Sequence, residues 1–319
     1  MYEKFFFLTE KPFHVTPDPR FLYLSKKHSE AIDLMSFGIT GRKGFTMLTG
    51  EVGTGKTTLC RALLEKLPKK IESALILNPV LSDHELLQTI TGDFGLNVEG
   101  STVKAHLDKL NEFLLKKATE GGGAVVIIDE AQNLSPKTLE MVRLLSNLET
   151  EKEKLLQIIL VGQPELKEKL GLPELRQLNQ RIIIRYHLDP LDYSETDAYI
   201  KNRLKIAGGA DTVSFPSDSI IEVYKRSCGI PRMINIICDR ALTAAFVDSK
   251  RVIDLKIMRK ALDELEGDGY IRPQKMSPIP AYARYIPHIA FSAFLIALLA
   301  GILLGPLVLS LAAGTIGAN

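Results

Sequence analysis

Cysteine is scarce in this chain, and what there is forms no framework. Only Cys60, Cys228 and Cys238 occur among 319 residues, with no CxxC pair. That excludes a disulfide-stapled secreted scaffold and fits a reducing compartment. The six histidines fall at no metal-ligand spacing to one another or to the cysteines, so no metal is expected beyond one carried by a nucleotide. Charge of one sign is also lacking. The formal net charge is +2, so no polyelectrolyte partner follows from charge alone, and nucleic acid is disfavoured as the main ligand. The N-terminus, MYEKFFFLTEKPFHVTPDPRFLY, is aromatic but broken by Glu3, Lys4, Glu10 and Lys11. It lacks the apolar stretch of a signal peptide, and the bulk of the chain is expected to stay in the cytoplasm. Internal repeats, low-complexity tracts and an NKxD-like guanine signature are absent as well.

What remains is the composition of an ordinary globular protein, 45% apolar and 24% charged, long enough for two packed domains. Charge disappears once, and sharply. From Ile286 to Asn319 there is no Asp, Glu, Lys or Arg, and Ile289 to Gly314 is almost wholly apolar. These 26 residues are long enough to cross a hydrocarbon core of about 30 Å. The run predicts a transmembrane helix over 288–314, kinked at Pro306, rather than a buried core helix with no domain left to bury it. Arg272, Lys275 and Arg284 precede it and nothing charged follows, which keeps the N-terminal domains cytoplasmic and the protein single-pass in the inner membrane. Ala293, Ala297, Gly301 and Gly305 recur every four residues, a stripe that offers a helix–helix interface. The Pro- and Gly-bearing segment 266–287 reads as a linker.

Upstream, short apolar runs alternate with helical patterns, as in a parallel α/β sheet. The expected strands are Phe45–Thr49, Ala74–Asn78, Ala124–Asp129, Leu156–Gly162 and Ile182–His187. From about Leu191 to Leu265 the pattern is helical, with helices over SETDAYIKNRLKIAG, Asp218–Ser227, Pro231–Ser249 and Asp254–Leu265. The expected plan is a lead-in over 1–40 packing on the core, an α/β domain with a five-stranded parallel sheet over 41–190, and a helical lid over 191–265.

The chemistry is announced by Gly50-Glu51-Val52-Gly53-Thr54-Gly55-Lys56-Thr57, with Thr58 next. This is a complete GxxxxGK[ST] loop between a strand pattern (FTMLT) and a helix pattern (TTLCRALLEKL). Its glycines let backbone N–H groups converge on phosphates at a helix N-terminus. Lys56 is expected to reach the β- and γ-phosphates and Thr57 to ligate magnesium. The strand Ala124–Ile128 ends in Asp129 and Glu130. Asp129 is placed to hold magnesium through water, and Glu130 to orient and deprotonate the attacking water. The ligands expected are therefore ATP and Mg2+.

Further polar residues stand at strand ends, where an open α/β sheet gathers its ligands. Gln163 follows the fourth strand and is a candidate to sense the γ-phosphate or position the water, with a plain turn residue before Pro164 as the alternative. Asn78 is a candidate to hold Glu130 inactive, or else a turn starter before Pro79. Arg181, closing LRQLNQR, is a candidate arginine finger reaching a neighbouring subunit's site. Arg176 competes for that role, and a surface salt bridge is the alternative for both. Arg232, in Gly229-Ile-Pro-Arg232, opens a lid helix and is placed to report the nucleotide's state, with a surface charge as the alternative. The segment Thr16-Pro-Asp-Pro-Arg20-Phe21 is a candidate adenine-side wall, with aromatic packing under the sheet as the alternative for its Phe and Tyr residues.

The stretches YEKFFFLTEKPFHVTPDPRFLYLSKKHSEAI, LTGEVGTGKTTLCRALL, LILNPVLS, IIDEAQNLS, VRLLSNLETEKEKLLQIILVGQPEL, LRQLNQRIIIRYHLDPL and GIPRMINIICDRAL together resemble the general secretion pathway protein A family, the ExeA-type secretion ATPases. The resemblance covers residues 1 to about 265. It implies an AAA+ fold, ATP hydrolysis, a cytoplasmic ATPase domain joined to a membrane helix, and a second membrane protein as partner. By position, Lys56, Thr57, Asp129 and Glu130 match the family's Walker residues, and Arg232 matches the sensor-2 arginine of the AAA+ class. Secretion members usually continue into a periplasmic peptidoglycan-binding region, whereas this sequence stops at Asn319, so a cell-wall role is not carried over.

The expectation is a membrane-anchored AAA+ ATPase, acting as a ring or dimer of itself, that assembles or energises an envelope export system of type II secretion, pilus or exopolysaccharide kind. The alternatives are a DNA-binding ATP switch of the transposition or initiator type, and a scaffold locked by ATP without turnover.

Overall fold

The computed structural model describes residues 1–271 except 17, 78, 101, 151 and 152. The expectations for Asn78, for the linker beyond Ile271, and for the membrane helix with its Gly301/Gly305 stripe lie outside the described residues. Among the described residues no helix is long and apolar enough to cross a membrane.

The chain opens with α1 (Tyr2–Phe5), a 3-10 turn (Pro19–Phe21) and α2 (Lys26–Thr40). Ser25 caps α2 by accepting from the backbone N–H of His28, which satisfies a donor the helix leaves open. The α/β part then runs β1 (Phe45–Gly50), α3 (Lys56–Lys66), β2 (Ile71–Ile76), α4 (Asp83–Asp93), α5 (Val103–Thr119), β3 (Gly123–Ile128), α6 (Pro136–Leu145), β4 (Leu156–Gly162), α7 (Pro164–Leu170), α8 (Arg176–Arg181) and β5 (Ile182–Leu188). Four helices follow: α9 (Tyr193–Ile206), α10 (Ser217–Ser227), α11 (Pro231–Val247) and α12 (Leu255–Gly267).

The five strands form one sheet in the order β2-β3-β4-β1-β5, and each pairing is parallel. The alternation along β3 shows why the sheet is covered on both sides. Val126 and Ile128 pack with residues of α4, α5 and α6, while Val125 and Ile127 face the residues of α2 and α3. Successive side chains of a strand point to opposite faces, so a strand buried on both reads as a continuous apolar run. Each such Val or Ile contributes about 1.5–3 kcal/mol by its burial, which pins the strand whose next residue is Asp129.

Parallel pairing also gathers the carboxyl ends of the strands along one edge. Because β4 lies between β3 and β1, the residues that follow Ile128 and Gly162 emerge beside the loop that follows Gly50. The strand expected at Ala74–Asn78 begins earlier, at Ile71. It sits at the sheet's edge with its first three residues half-buried or exposed, so its polar members Glu72 and Ser73 hide its start from a search for apolar runs.

The lead-in does not pack as one piece on the α/β core. Tyr2, Phe6, Leu8, Phe13 and Phe21 belong instead to the core of the helical part, with Leu204, Val223, Ile237 and Leu262. Leu22, Leu24 and, from α2, Ala31, Ile32, Met35 and Ile39 pack under the sheet with α3. Large aromatic side chains fill the space that four amphipathic helices leave between their apolar stripes. The Tyr2 hydroxyl also donates to Asp239 of α11. Helix α12 extends to Gly267 and Ile271 is buried with it, so the expected start of the linker at 266 is still part of the helical core.

Candidate functional site

The loop between β1 and α3 takes the shape its glycines allow. Gly53 and Gly55 have φ of +83° and +97°, a left-handed backbone that other residues adopt only at a cost. Gly55 stands at the N-cap of α3, so the helix begins with its free N–H groups turned into the loop. Lys56 is buried, and its Nζ donates to the carbonyls of Gly50 at 2.8 Å and Glu51 at 2.9 Å. Burial lowers its ammonium pKa, against the pull of Glu130 and Asp129. Thr54 Oγ1 donates to the Glu51 carbonyl at 2.9 Å. Val52 and Glu51 are exposed.

Thr57 and Asp129 meet across the site, the Thr57 hydroxyl donating to the Asp129 carboxylate. Asp129 is buried. Burial raises its pKa, while the hydrogen bonds from Thr57 and from the Glu130 backbone N–H lower it. The second of these bonds is 2.9 Å long. The donor set consists of hard oxygens, a hydroxyl and a buried carboxylate without an ion-pair partner among the described residues. Such a pair suits a magnesium ion.

Glu130 has φ +51° and ψ +36°, a left-handed conformation for a residue with a Cβ. Its carboxylate accepts from Gln132 Nε2 at 2.6 Å and from Gln163 Nε2 at 2.9 Å. Gln132 Oε1 in turn accepts from the Gln163 backbone N–H at 3.1 Å, and a Cβ at Gly162 would stand 2.6 Å from it. The glycine ending β4 thus makes room for the amide that holds the glutamate.

A cavity of about 450 Å³ opens above the loop. Residues 52–58 and Glu130 line one part, His14 to Thr16, Asp18, Phe21 to Tyr23 and His28 of the lead-in another, and Leu191, Tyr199, Arg203, Pro231, Arg232 and Asn235 the rest. Arg232 is exposed, and its backbone N–H donates to the Gly53 carbonyl at 3.3 Å. Of the segment 16–21, Thr16, Asp18 and Phe21 line this cavity, whereas Arg20 pairs with Glu10 and Asp18.

Arg181 does not line the cavity. Its guanidinium donates to Ser146 Oγ at 2.6 Å and Asn147 Oδ1 at 2.7 Å, behind the C-terminus of α6. Arg176 is exposed and has no hydrogen-bond partner among the described residues. Four participants went unseen in the sequence. Gln132 sits two residues past the acid pair. His28 is buried, with Nε2 3.2 Å from the Thr54 carbonyl. Arg203 and Tyr199 lie on the stripe Thr196, Tyr199, Ile200, Arg203, Leu204, which is the buried face of α9. An arginine on an apolar stripe is the signal that could have found the last pair.

Comparison with known proteins agrees with this geometry. The AAA domain family matches residues 39–170. General secretion pathway protein A of Aeromonas hydrophila is 48% identical over 247 residues, which are 77% of this chain and 45% of that protein. The chain belongs to the AAA ATPases, as a relative of general secretion pathway protein A. This AAA ATPase spans less than half the length of that relative.

Solved structures share the fold of this AAA ATPase. Aeropyrum pernix ORC2, in its ADPNP–ADP complexes, has a TM-score of 0.60 at 19% identity over 81% of this chain and 72% of its own. Drosophila ORC bound to DNA gives 0.61 at 18% identity over 80% and 64%. Thermotoga maritima RuvB gives 0.52 at 20% identity over 76% and 70%. At such identities the likeness is one of fold.

Proposed function

We propose that this AAA ATPase binds ATP with magnesium in the cavity above residues 50–57, hydrolyses it with Glu130, and transmits the movement of its helical lid, residues 191–265, to an envelope export system at the inner membrane. The observation that carries the reading is the Thr57–Asp129 hydrogen bond beside a Glu130 carboxylate that only neutral amides hold. The backbone N–H groups of the loop and Lys56 grip the phosphates once the ammonium leaves the carbonyls of Gly50 and Glu51. Thr57 and Asp129 would hold the magnesium, which when bound would supply neutralisation of charge developing on the phosphates. Glu130, released from one amide, takes a proton from the attacking water, while Gln163 keeps its place near the terminal phosphate. Arg232 ties the lid to the loop and senses which nucleotide is bound.

Hydrolysis between subunits of a homo-oligomeric ring or dimer needs an arginine from the neighbour. Arg181 makes only neutral hydrogen bonds and Arg176 makes none among the described residues, so either is available to swing across. The kinship with general secretion pathway protein A supports an export role, a membrane-protein partner and a bilayer anchor. The likeness to origin-recognition proteins is one of fold and brings no DNA to this chain.

The deciding experiment is steady-state phosphate release by the full chain in lipid vesicles, with and without magnesium, alongside ATP affinity. Magnesium-dependent binding and turnover are expected. No magnesium-dependent affinity for ATP would end the reading. Binding without turnover would leave the ATP-locked scaffold in its place.

A further inference from the structure

Arg203 is 4% exposed, yet no carboxylate pairs with it among the described residues. A guanidinium stays charged and carries five donors, and taking it out of water without an acceptor costs several kcal/mol. Here it makes one hydrogen bond, from Nη1 to the Tyr199 hydroxyl at 2.8 Å. The Tyr199 hydroxyl in turn donates a hydrogen bond to Asn235 Oδ1 at 2.9 Å, which leaves the hydroxyl oxygen facing the arginine. Nε is buried without a partner. The plane is fixed by the Phe21 ring, whose centroid lies 4.9 Å from Cζ, and by the Tyr199 ring at 5.6 Å. Arg203, Tyr199, Asn235 and Phe21 all line the cavity that contains the phosphate loop.

An arginine serving only the fold would close its donors on a carboxylate or on carbonyls. This one is stacked in place with a buried donor left open at a cavity wall. Its partners come from the lead-in and the lid, and none from residues 50–57, where the phosphates go. The group it faces is therefore the nucleoside.

We propose that Arg203 is a nucleoside-recognition residue, its guanidinium donating to an acceptor on the ribose or base of the bound nucleotide. The inference rests on the reading of the cavity as an ATP site.

The test compares the full chain with Arg203→Met and Arg203→Lys, after thermal unfolding has shown which variants fold. It measures the Kd of Mg-ATP and of Mg-2′,3′-dideoxy-ATP, and the competition constant of inorganic tripolyphosphate, which has no nucleoside. Loss of a hydrogen bond from a charged donor predicts ATP binding weaker by about tenfold to a hundredfold, with tripolyphosphate unchanged. If Arg203→Met does not fold, Arg203→Lys, which keeps the charge and stem but loses the planar fork, carries the same expectation at about tenfold. If the substitution weakens ATP but no longer matters for dideoxy-ATP, the acceptor is a ribose hydroxyl. An equal effect on both places it on the base. Equal losses for ATP and tripolyphosphate would assign Arg203 to the phosphates and overturn the proposal, as would unchanged ATP affinity in a folded variant. Failure of the unsubstituted chain to bind Mg-ATP would instead sink the ATP reading itself.

Discussion

The backbone N–H of Arg232 donates to the Gly53 carbonyl at 3.3 Å, and a Cβ added to Gly53 would stand 2.6 Å from the Arg232 Cβ. The first turn of α11 therefore rests directly on the loop between β1 and α3 at Gly53. Gly53→Ala meets two obstacles at once, a φ of +83° and the helix itself. The left-handed conformation alone costs about 1–2 kcal/mol, and the clash must push α11 away. We expect a lower Tm and ATP affinity reduced at least tenfold, read by thermal unfolding and calorimetry. Normal affinity in Gly53→Ala would mean that the lid's seat on the loop is not needed for binding.

Two side-chain amides, of Gln132 and Gln163, hold the Glu130 carboxylate in place. Glu130→Gln keeps the size of the side chain but cannot take a proton, so ATP should still bind while phosphate release falls by a hundredfold or more. Gln132→Ala removes one of the two amides that hold the carboxylate. It should raise basal turnover, because a freed Glu130 samples the water more often. Gln163→Ala, which loses the amide proposed to lie near the terminal phosphate, should lower turnover. A rise for Gln163→Ala and a fall for Gln132→Ala would reverse the two roles. Full phosphate release by Glu130→Gln would show that another group is the base.

Lys56 and Asp129 are both buried charges whose ionised forms are disfavoured by burial, and they predict opposite signs for stability and binding. Asp129→Asn removes a carboxylate whose pKa burial raises. A raised carboxyl pKa makes the ionised form a burden that is fully present above the folded pKa and disappears below the ordinary value of 3.8. At neutral pH, and without nucleotide, Asp129→Asn should therefore unfold at a higher temperature than the natural chain, yet lose its stabilisation by Mg-ATP. Lys56→Ala should fold and lose ATP binding. Thermal unfolding with and without Mg-ATP checks both. An Asp129→Asn variant still stabilised by Mg-ATP would remove Asp129 from the metal site.

The loop and the acid pair were legible because their chemistry is local: glycines at left-handed positions, a lysine at a helix start, carboxylates after a buried strand. All five strands were visible as apolar runs, with β2 blurred by its exposed edge. The holders of the site were not visible, since they are set by packing between distant segments. Gln132 matters only because β4 ends in a glycine beside it, and Arg203 only because Phe21 folds over it from 182 residues earlier in the chain. The lead-in's aromatic residues gave no sign of which core they enter. Arg181 showed its place before β5 but not its hydrogen bonds to Ser146 and Asn147.

His28 ties the lead-in to the loop and should make that tie sensitive to acid. Burial holds its imidazole below the ordinary value of 6.5, with the Thr54 carbonyl pulling the other way. Nε2 lies 3.2 Å from that carbonyl and Nδ1 lies 2.8 Å from Ser25 Oγ. The neutral Nε2–H tautomer satisfies both, donating to Thr54 and accepting from Ser25. Since the unfolded chain takes up this proton more readily than the folded one, His28 contributes stability that is fully present above 6.5 and is lost as the pH falls through the lower, folded pKa. Denaturant unfolding between pH 8 and pH 5 should show that loss, and ATP affinity should weaken in the same range because Thr54 belongs to the loop. His28→Gln keeps a donor for the Thr54 carbonyl without titrating, so its stability and its ATP affinity should depend less on pH. His106 is also held low, by burial and by His84, but it hydrogen-bonds Thr91 and lines no part of the nucleotide cavity. A His28→Gln variant that keeps the whole pH dependence of stability but loses that of ATP affinity would therefore divide the two effects between His106 and His28. Keeping both would remove His28 from the account.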